Sequence, residues 1–258
     1  MELRVATFNL RNFTANDGED RWERRVDQVA EMFRRTGAAV LGTQEGYHAM
    51  LQDLAARLPE FRFTGLGRRG DLEDEFCAVF FRPDAVSALD SGHFWLSETP
   101  EVAGSRSWGS SLPRMCTWVR LRLGAGAQLL LFNTHLDHRS AEARERGIRL
   151  ICRTIAERRA AEGLPSVLMG DLNASGDSPV VSFLRTESGL VDAFAALAAP
   201  PGGTFHGFHG GAGGDPIDYI FGTPDLAFSA TEVHRERIDG RYPSDHYPVA
   251  TTVRLPEP

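Results

Sequence analysis

The chain has 258 residues, of which 42% are hydrophobic and 24% are charged, and these values are ordinary for a soluble globular protein. The formal net charge is −7, and all 28 basic side chains are arginines. Nonspecific affinity for duplex DNA requires a basic surface that neutralises many phosphates, so no extended duplex-binding surface is expected. A few arginines are still enough to hold a small or single-stranded phosphorylated substrate.

The three cysteines, Cys77, Cys116 and Cys152, lie far apart in the chain among apolar neighbours. Because they lack paired spacing, they indicate buried thiols in a reducing compartment and neither disulfides nor a zinc site. Residues 1–8 have the pattern of a strand and not of a signal peptide, and no apolar run is long enough for a membrane span. We therefore predict a cytoplasmic location, whereas the oligomeric state has no signal in the sequence.

Strands and helices alternate in the first half of the chain. Residues 3–8 predict a short strand that ends at Asn9, and residues 22–35 predict an amphipathic helix. Residues 38–44 predict a buried strand that stops at Glu45. The other predicted elements of this half are a helix at 48–58, strands at 61–64, 77–81 and 86–95, and polar loops at 65–75 and 97–113.

The second half continues the alternation of strands and helices. A hairpin is expected at 117–133, with its turn at the glycines of 124–126, and a helix begins at Ser140 and runs to about residue 161. No repeat or linker divides the chain, so we expect one α/β domain over residues 1–258 with two packed sheets flanked by helices. The remaining predicted elements are a strand at 166–169, a short helix at 178–184, a glycine-rich loop at 202–214, and strands at 217–221 and 247–253.

Polar residues stand where several of the predicted strands end. After the apolar strand at 166–169, Asp171 and Asn173 are two residues apart and therefore face the same side of an extended backbone. An ionised aspartate can ligate a hard cation or take a proton from water, and an asparagine supplies donors and an oxygen without charge. Taken alone, this pair is more typical of a turn or a helix cap.

The same arrangement recurs at other strand ends. His135 and Asp137 follow one predicted strand on a common face, and Asp245 and His246 stand together before the last strand. Asp218 lies among apolar residues and needs a partner, for which His246 and an arginine are equally good candidates. Each of these features alone is also more typical of a structural role.

Their joint occurrence outweighs the structural interpretation of each, because Asn9 and Glu45 bring the number of polar strand ends to six. Together they resemble, in the same order, the motifs of the endonuclease/exonuclease/phosphatase superfamily, and in particular bacterial members nearer its CCR4-like side. The matching segments are Thr7-Phe8-Asn9, Gln44-Glu45, Asn133-Thr134-His135, Gly170-Asp171-Leu172-Asn173, Ile217-Asp218-Tyr219 and Ser244-Asp245-His246.

This resemblance implies a four-layered α/β sandwich, in which two packed mixed β-sheets are flanked by helices as in DNase I, and hydrolysis of a phosphoester with Mg²⁺ or Mn²⁺. By position, Glu45 resembles the principal metal ligand, with Asn9 and Asp245 close by. Asp171 resembles the residue that orients or deprotonates the attacking water or binds a second metal. The other implied roles are phosphate binding by Asn173, contact with the phosphoryl oxygens by His135, and a pair between Asp218 and His246.

Several further residues are candidates for contacts with the substrate. Arg106 and Arg114 have the chemistry to clamp phosphate and Trp108 to stack on a base, although loop arginines are mostly solvated. Asp137 is a further polar candidate. Arg11 stands where nucleases of the apurinic type carry an acid, which argues against abasic-site repair and leaves phosphate contact or surface exposure as its role.

The sequence thus predicts a metal-dependent phosphoric ester hydrolase that cleaves a phosphodiester, in single-stranded nucleic acid or in a small molecule, by in-line attack of water. A dication neutralises such an anionic ester while an acid-base group readies the water, and oxygen ligands suit Mg²⁺ or Mn²⁺. The alternative is a phosphomonoesterase for a phosphorylated sugar, inositol or nucleotide. A non-enzymatic binding protein is disfavoured because no member of the core set of site residues is missing.

Overall fold

Strands and helices alternate along residues 1–124, 126–197 and 199–256, which this computed structural model describes. Short 3₁₀ helices at Gly18–Asp20 and Ala193–Ala196 accompany them. The α-helices are α1 (Trp22–Arg35), α2 (His48–Arg57), α3 (Ala141–Glu162) and α4 (Pro179–Thr186). The strands are β1 (Glu2–Asn9), β2 (Val40–Gln44), β3 (Arg62–Thr64), β4 (Val79–Phe81), β5 (Val86–Trp95), β6 (Met115–Leu123), β7 (Gln128–His135), β8 (Ser166–Asp171), β9 (Val191–Asp192), β10 (Asp218–Gly222), β11 (Ala227–Val233) and β12 (Val249–Arg254).

The strands form two six-stranded mixed sheets, with the orders β11-β12-β1-β2-β4-β3 and β5-β6-β7-β8-β10-β9. Each sheet has one parallel pair near its middle, β1 with β2 and β7 with β8, and its other pairs are antiparallel. The carboxyl ends of these four strands meet at one edge of the sandwich. The antiparallel neighbours β10 and β12 begin at the same edge, so six strand termini surround one place.

Helices cover the outer face of each sheet, which confirms the predicted four-layered sandwich. On the first sheet, the predicted apolar stripe of α1 is buried, and the Phe33 and Phe80 rings meet edge to face with centroids 5.2 Å apart. On the second sheet, α3 and α4 bury residues such as Ile151 and Val181. Ser140 caps α3 by accepting a hydrogen bond from the backbone N–H of Ala143.

A buried asparagine joins the two sheets. The Asn133 side chain on β7 donates to the backbone oxygens of Thr43 and Ala78, at 2.9 Å each, and accepts from Gln44 Nε2 at 2.7 Å. Gly42 permits this approach, because a Cβ atom there would lie 2.7 Å from the Asn133 side-chain oxygen. The spacing of the two sheets near the strand ends therefore depends on the hydrogen bonds of Asn133 and on the absence of a side chain at Gly42.

The structure corrects several predicted boundaries and adds two strands, β9 and β11. Strand β11 is a mostly exposed edge strand with a bulge between Ser229 and Glu232, so its sequence lacks an apolar alternation. The last strand begins at Val249, two residues later than predicted. The predicted hairpin is confirmed by the antiparallel pairing of β6 and β7, although Ala125 in its turn lies outside the described residues. No helix in the described part of the chain is long and apolar enough to cross a membrane.

Candidate active site

The polar strand ends converge on a cavity of about 440 Å³. Asn9 and Asp218, which the sequence also predicts for the site, are not among the residues that line this cavity. Their side chains are fully buried beneath its wall. The cavity is lined by Arg11, Asn12, Glu45, Glu75, Arg114, His135, His138, Asp171, Asn173, Phe205, Ile217, Asp245 and His246.

Glu45 is held in place by amide groups from the end of β1. Its Oε1 accepts a hydrogen bond from Asn9 Nδ2 at 3.1 Å, and its Oε2 accepts from the backbone and side-chain amides of Asn12 at 3.0 and 2.8 Å. Burial alone would raise the pKa of Glu45, but these hydrogen bonds and the charge of His246 lower it below its usual value. Glu45 therefore presents an ionised carboxylate to the cavity.

Asp245 places a second carboxylate in the same wall. Burial and the neighbouring charge of Glu45 raise the pKa of Asp245, while the guanidinium groups of Arg11 and Arg25 oppose that rise. Arg11 Nε lies 3.6 Å from Asp245 Oδ2, and the same guanidinium is paired with Asp17 at 2.8 Å. Arg11 thus faces carboxylates on both sides, at the position where apurinic-type nucleases carry an acid.

Asp171 stands at the centre of the cluster, at the end of β8. Its Oδ2 accepts a hydrogen bond from Asn9 Nδ2 at 3.0 Å and lies 3.5 and 3.8 Å from the Nε2 atoms of His135 and His246. Burial, followed by the charge of adjacent Asp218, raises the pKa of Asp171. A carboxyl group with a raised pKa is a stronger base than a solvated one, which suits proton transfer from water.

Asp218 and His246 form a buried pair, with 2.9 Å between Asp218 Oδ2 and His246 Nδ1. The partner of Asp218 is therefore this imidazole and not an arginine, which resolves the two alternatives left by the sequence. Burial would lower the pKa of His246, but the carboxylates of Asp218, Asp171 and Asp245 raise it to about 10. This raised pKa favours the cationic form of His246, which lines the cavity.

The Gly170-Asp171-Leu172-Asn173 segment owes its shape to two unusual backbone conformations. Gly170 has a φ of 149°, and a Cβ atom there would lie 2.0 Å from the carbonyl oxygen of Thr134 on β7. Asn173 has a φ of 47° and brings its Nδ2 within 2.9 Å of His135 Nε2. Burial and the charge of Arg114 hold the pKa of His135 well below its usual value, so this imidazole is neutral.

Three of the predicted substrate contacts do not line the cavity. Arg106 is exposed and donates to the carbonyl oxygen of Ser111, and Trp108 packs against the apolar core with Arg146 over its ring. Asp137 is 1% exposed and accepts hydrogen bonds from loop and helix groups of Ser110, Ser111, Arg139 and Ser140. The structure therefore places Asp137 as an anchor of the loop at 97–113, whereas the predicted Arg114 does line the cavity.

Sequence reasoning does not select several of the residues in the cavity wall. Asn12 follows the first strand closely and Glu75 directly precedes an apolar run, but neither has the alternating pattern of the other strand ends. His138, next to Asp137 in the chain, also lies in the wall, with its Nδ1 3.1 Å from Arg114 Nη2. Phe205, in the glycine-rich loop at 202–214, is 52% exposed with its ring 5.1 Å from that of His246.

Two sets of side chains have the chemistry to hold a metal ion. Donor atoms of Asp171, Asp218 and His246 all lie within 4.8 Å of one another. The second set consists of Glu45 and Asp245, whose carboxylate oxygens are hard ligands of the kind that Mg²⁺ and Mn²⁺ prefer, with Asn9 beside them. Asn9 turns its Nδ2 toward Glu45, and its Oδ1 accepts from the backbone N–H of Arg11. In the first set, His246 Nδ1 is already hydrogen-bonded to Asp218 Oδ2 at 2.9 Å.

The match to known proteins covers almost the whole chain. Residues 6–246 match the Endonuclease/Exonuclease/phosphatase family. Among solved structures, the chain is similar to an endonuclease/exonuclease/phosphatase family protein and to a mannosyl-6-phosphatase, both from Bacteroides thetaiotaomicron. Each is 31% identical, and the alignments cover 98% of this chain and 95% and 100% of the other chains, with TM-scores of 0.93 and 0.92.

A more distant likeness shows the fold alone. The catalytic domain of human Nocturnin, solved with a bound sulfate anion, is 19% identical with a TM-score of 0.77, over 98% of this chain and 94% of its own. No curated protein matches the chain.

The family match over residues 6–246 agrees with the cavity at the strand ends and with the order of its motifs. The chain belongs to the Endonuclease/Exonuclease/phosphatase family.

Proposed function

We propose that the chain is a divalent-metal-dependent phosphoesterase that hydrolyses the phosphomonoester of a small polar alcohol. The observation that carries the proposal is the position of Asp171, between the amide of Asn9 and the imidazoles of His135 and His246, at a cavity of about 440 Å³. A cavity of this size accommodates a small ligand. The likeness to a mannosyl-6-phosphatase supports the same choice over the diester favoured by the sequence.

We propose Mg²⁺ or Mn²⁺ as the cofactor, held by Glu45 with Asn9 and Asp245. The donor set fits such an ion, because a lowered pKa keeps Glu45 ionised and the three side chains offer oxygens and no thiolate. When bound, a dication neutralises charge on the phosphoryl oxygens and on the leaving oxygen.

Side chains of the protein carry out proton transfer, charge stabilisation and orientation of the substrate. Asp171 accepts a proton from the attacking water, which forms a bond to phosphorus as the bond to the alcohol oxygen breaks. The leaving oxygen takes up a proton from solvent to give the alcohol, and Asp171 returns its proton to solvent. The cationic His246, held by Asp218, faces the charge that develops on the phosphoryl oxygens. Asn173 and His135 orient the phosphoryl group from the other strand ends, and both sheets therefore contribute to what we take to be a single catalytic domain over residues 1–258.

A second candidate is a phosphodiesterase that acts on single-stranded nucleic acid. The exposed ring of Phe205 at the rim favours it, because stacking of a base on an aromatic side chain contributes about 1–3 kcal/mol. A nucleotide held there would place its phosphate beside His246, whose ring contacts that of Phe205.

A metal-supplemented assay tests both candidates. We expect hydrolysis of mannose 6-phosphate and p-nitrophenyl phosphate in Mg²⁺ or Mn²⁺, little hydrolysis of bis-p-nitrophenyl phosphate, and loss of activity in EDTA. Asp171→Asn, Glu45→Gln and His246→Ala are each expected to lower kcat by about 100-fold or more. The exposed Asp84→Asn is the matched control and should keep wild-type rates. Preference for the diester would favour the nuclease, and unchanged rates in all three variants would refute the proposed site.

A further inference from the structure

A second group of charged side chains lies in the cavity wall outside the cluster around Asp171. Glu75 lines both the main cavity and a narrow recess that opens from it, and Arg114 does the same. Arg68 stands in the recess behind them, and its side chain is 9% exposed. None of these positions belongs to the strand-end motifs that carry the proposed chemistry.

Glu75 is fixed in one orientation by its surroundings. Its Oε2 accepts a hydrogen bond from Arg68 Nη1 at 2.6 Å, and Arg68 is itself paired with Asp74 at 2.9 Å. The backbone N–H of Glu75 donates to Asp74, and the carbonyl of Glu75 accepts from the backbone of Arg68. A carboxylate restrained in this way needs no reordering when a ligand binds, which is the condition for selective recognition.

The second carboxylate oxygen of Glu75 is left for a ligand. In the described part of the chain, Oε1 of Glu75 accepts no hydrogen bond, although the side chain is only 13% exposed. On the same recess, Arg114 directs Nη2 to His138 while its Nη1 has no protein acceptor among the described residues. An acceptor and a donor left open to the cavity in this way can both be satisfied by groups that donate and accept.

Hydroxyl groups fit this pair better than the other common ligands. A second phosphate in the main cavity would meet the carboxylates of Glu75 and Glu45, which repel it. An amine would meet the guanidinium groups of Arg68 and Arg114. A hydroxyl can donate to the free oxygen of Glu75 and accept from Arg114 without net charge, and two adjacent hydroxyls can use both partners.

We propose that Glu75 selects substrates whose alcohol part carries further hydroxyl groups, as in a sugar or polyol phosphate, and disfavours those that carry a second anion. This inference rests on the proposed phosphomonoesterase function, and it names the substrate class of that site. Glu75 binds the part of the substrate that leaves as the alcohol, whereas Asp171 and His246 act on the phosphoryl group. Removing Glu75 is therefore expected to affect one kind of substrate and not another.

The test is run at pH 8, above the raised pKa of Glu75, so that this side chain is ionised. It compares kcat/KM for mannose 6-phosphate with that for p-nitrophenyl phosphate, whose leaving group has no further hydroxyl. Glu75→Ala is expected to lower the first by about 10- to 100-fold, the usual effect of a lost hydrogen bond to a charged group, and to leave the second near wild type. Glu75→Gln, which retains one acceptor, should lie between. The exposed Glu73→Gln on the same loop is the control and should change neither.

A binding experiment distinguishes a failure of this inference from a failure of the proposed function. In the Asp171→Asn background, calorimetric titration with mannose 6-phosphate and phenyl phosphate should show a loss of affinity on Glu75→Ala for the sugar phosphate alone. If the wild type hydrolyses neither ester but binding still depends on Glu75, the function is wrong and the hydroxyl site stands. Equal losses for both ligands, or no loss for either, would overturn the assignment of Glu75, and unfolding midpoints of the variants exclude a folding defect as the cause.

Discussion

Replacing Glu75 by glutamine should make the protein more stable above neutral pH. Burial, which outweighs the nearby guanidinium of Arg68, raises the pKa of Glu75 from 4.5 to about 7. The folded state therefore holds this proton more tightly than the unfolded state, so stability falls as pH rises from about 4.5 through 7. Because a tenfold difference in proton affinity corresponds to about 1.36 kcal/mol, ionising Glu75 costs about 3 kcal/mol at pH 8 and less than about 1 kcal/mol at pH 5.

Urea unfolding of the wild type and of Glu75→Gln at pH 5 and pH 8 measures this cost. The stability of the variant relative to the wild type should increase by about 2 to 3 kcal/mol between the two pH values, or by roughly 5–10 °C in Tm. All other titrating groups are common to both proteins and cancel in the difference. The exposed Glu73→Gln on the same loop is the matched control for the substitution itself.

A wild type that is more stable than Glu75→Gln by the same amount at both pH values would refute this reasoning. It would mean that the ion pair with Arg68 outweighs burial and keeps Glu75 ionised throughout. Glu75 lines the cavity although its charge destabilises the fold. A role in substrate binding would account for this, since functional groups are often retained at a cost in stability.

Three other predictions concern the supports of the site. Gly170→Ala should destabilise the protein by more than about 4 kcal/mol, because its Cβ would clash with Thr134, whereas Gly124→Ala has open space and should be nearly neutral in thermal unfolding. Asn133→Leu should lower the free energy of unfolding in urea by about 3 kcal/mol or more, since it leaves buried groups of Thr43, Gln44 and Ala78 without a partner. A loss below about 1 kcal/mol would contradict the role of Asn133 in joining the two sheets. Asp137→Asn should release the loop at 97–113 and speed trypsin cleavage after the exposed Arg106, as followed by mass spectrometry, and unchanged cleavage would show that Asp137 does not anchor the loop.

The residues at the strand ends can be predicted from the sequence because short local patterns of apolar and polar residues mark them. An apolar strand followed by alternating polar residues marks Asp171 and His135, and parallel pairing then brings the ends of β7 and β8 together. The two-sheet architecture likewise follows from the alternation of apolar strands with amphipathic helices. Strand order was not predictable, because it depends on pairings between segments that are distant in the chain.

The residues that were missed or misplaced owe their positions to contacts between loops. Glu75 reaches the cavity because Arg68 and Asp74 fix the loop before β4, and no periodic pattern records that contact. Trp108 stays away from the cavity because the loop at 97–113 is drawn toward the start of α3 by Asp137 and Ser140. In both cases a buried hydrogen bond between distant segments decides where a side chain lies.

The backbone gives independent support to the residues at the strand ends. Arg11, Glu45 and Asn173 have φ values of 55°, 60° and 47°, a region that costs non-glycine residues about 1 kcal/mol or more. Each follows a strand terminus by one or two positions and lines the cavity. A glycine would relieve the backbone at all three places, and asparagine tolerates this region better than arginine or glutamate. The chain therefore keeps long charged side chains at residues 11 and 45 at a cost in backbone energy, as is common for functional residues, although Trp108 has the same strain (φ 56°) in a structural position.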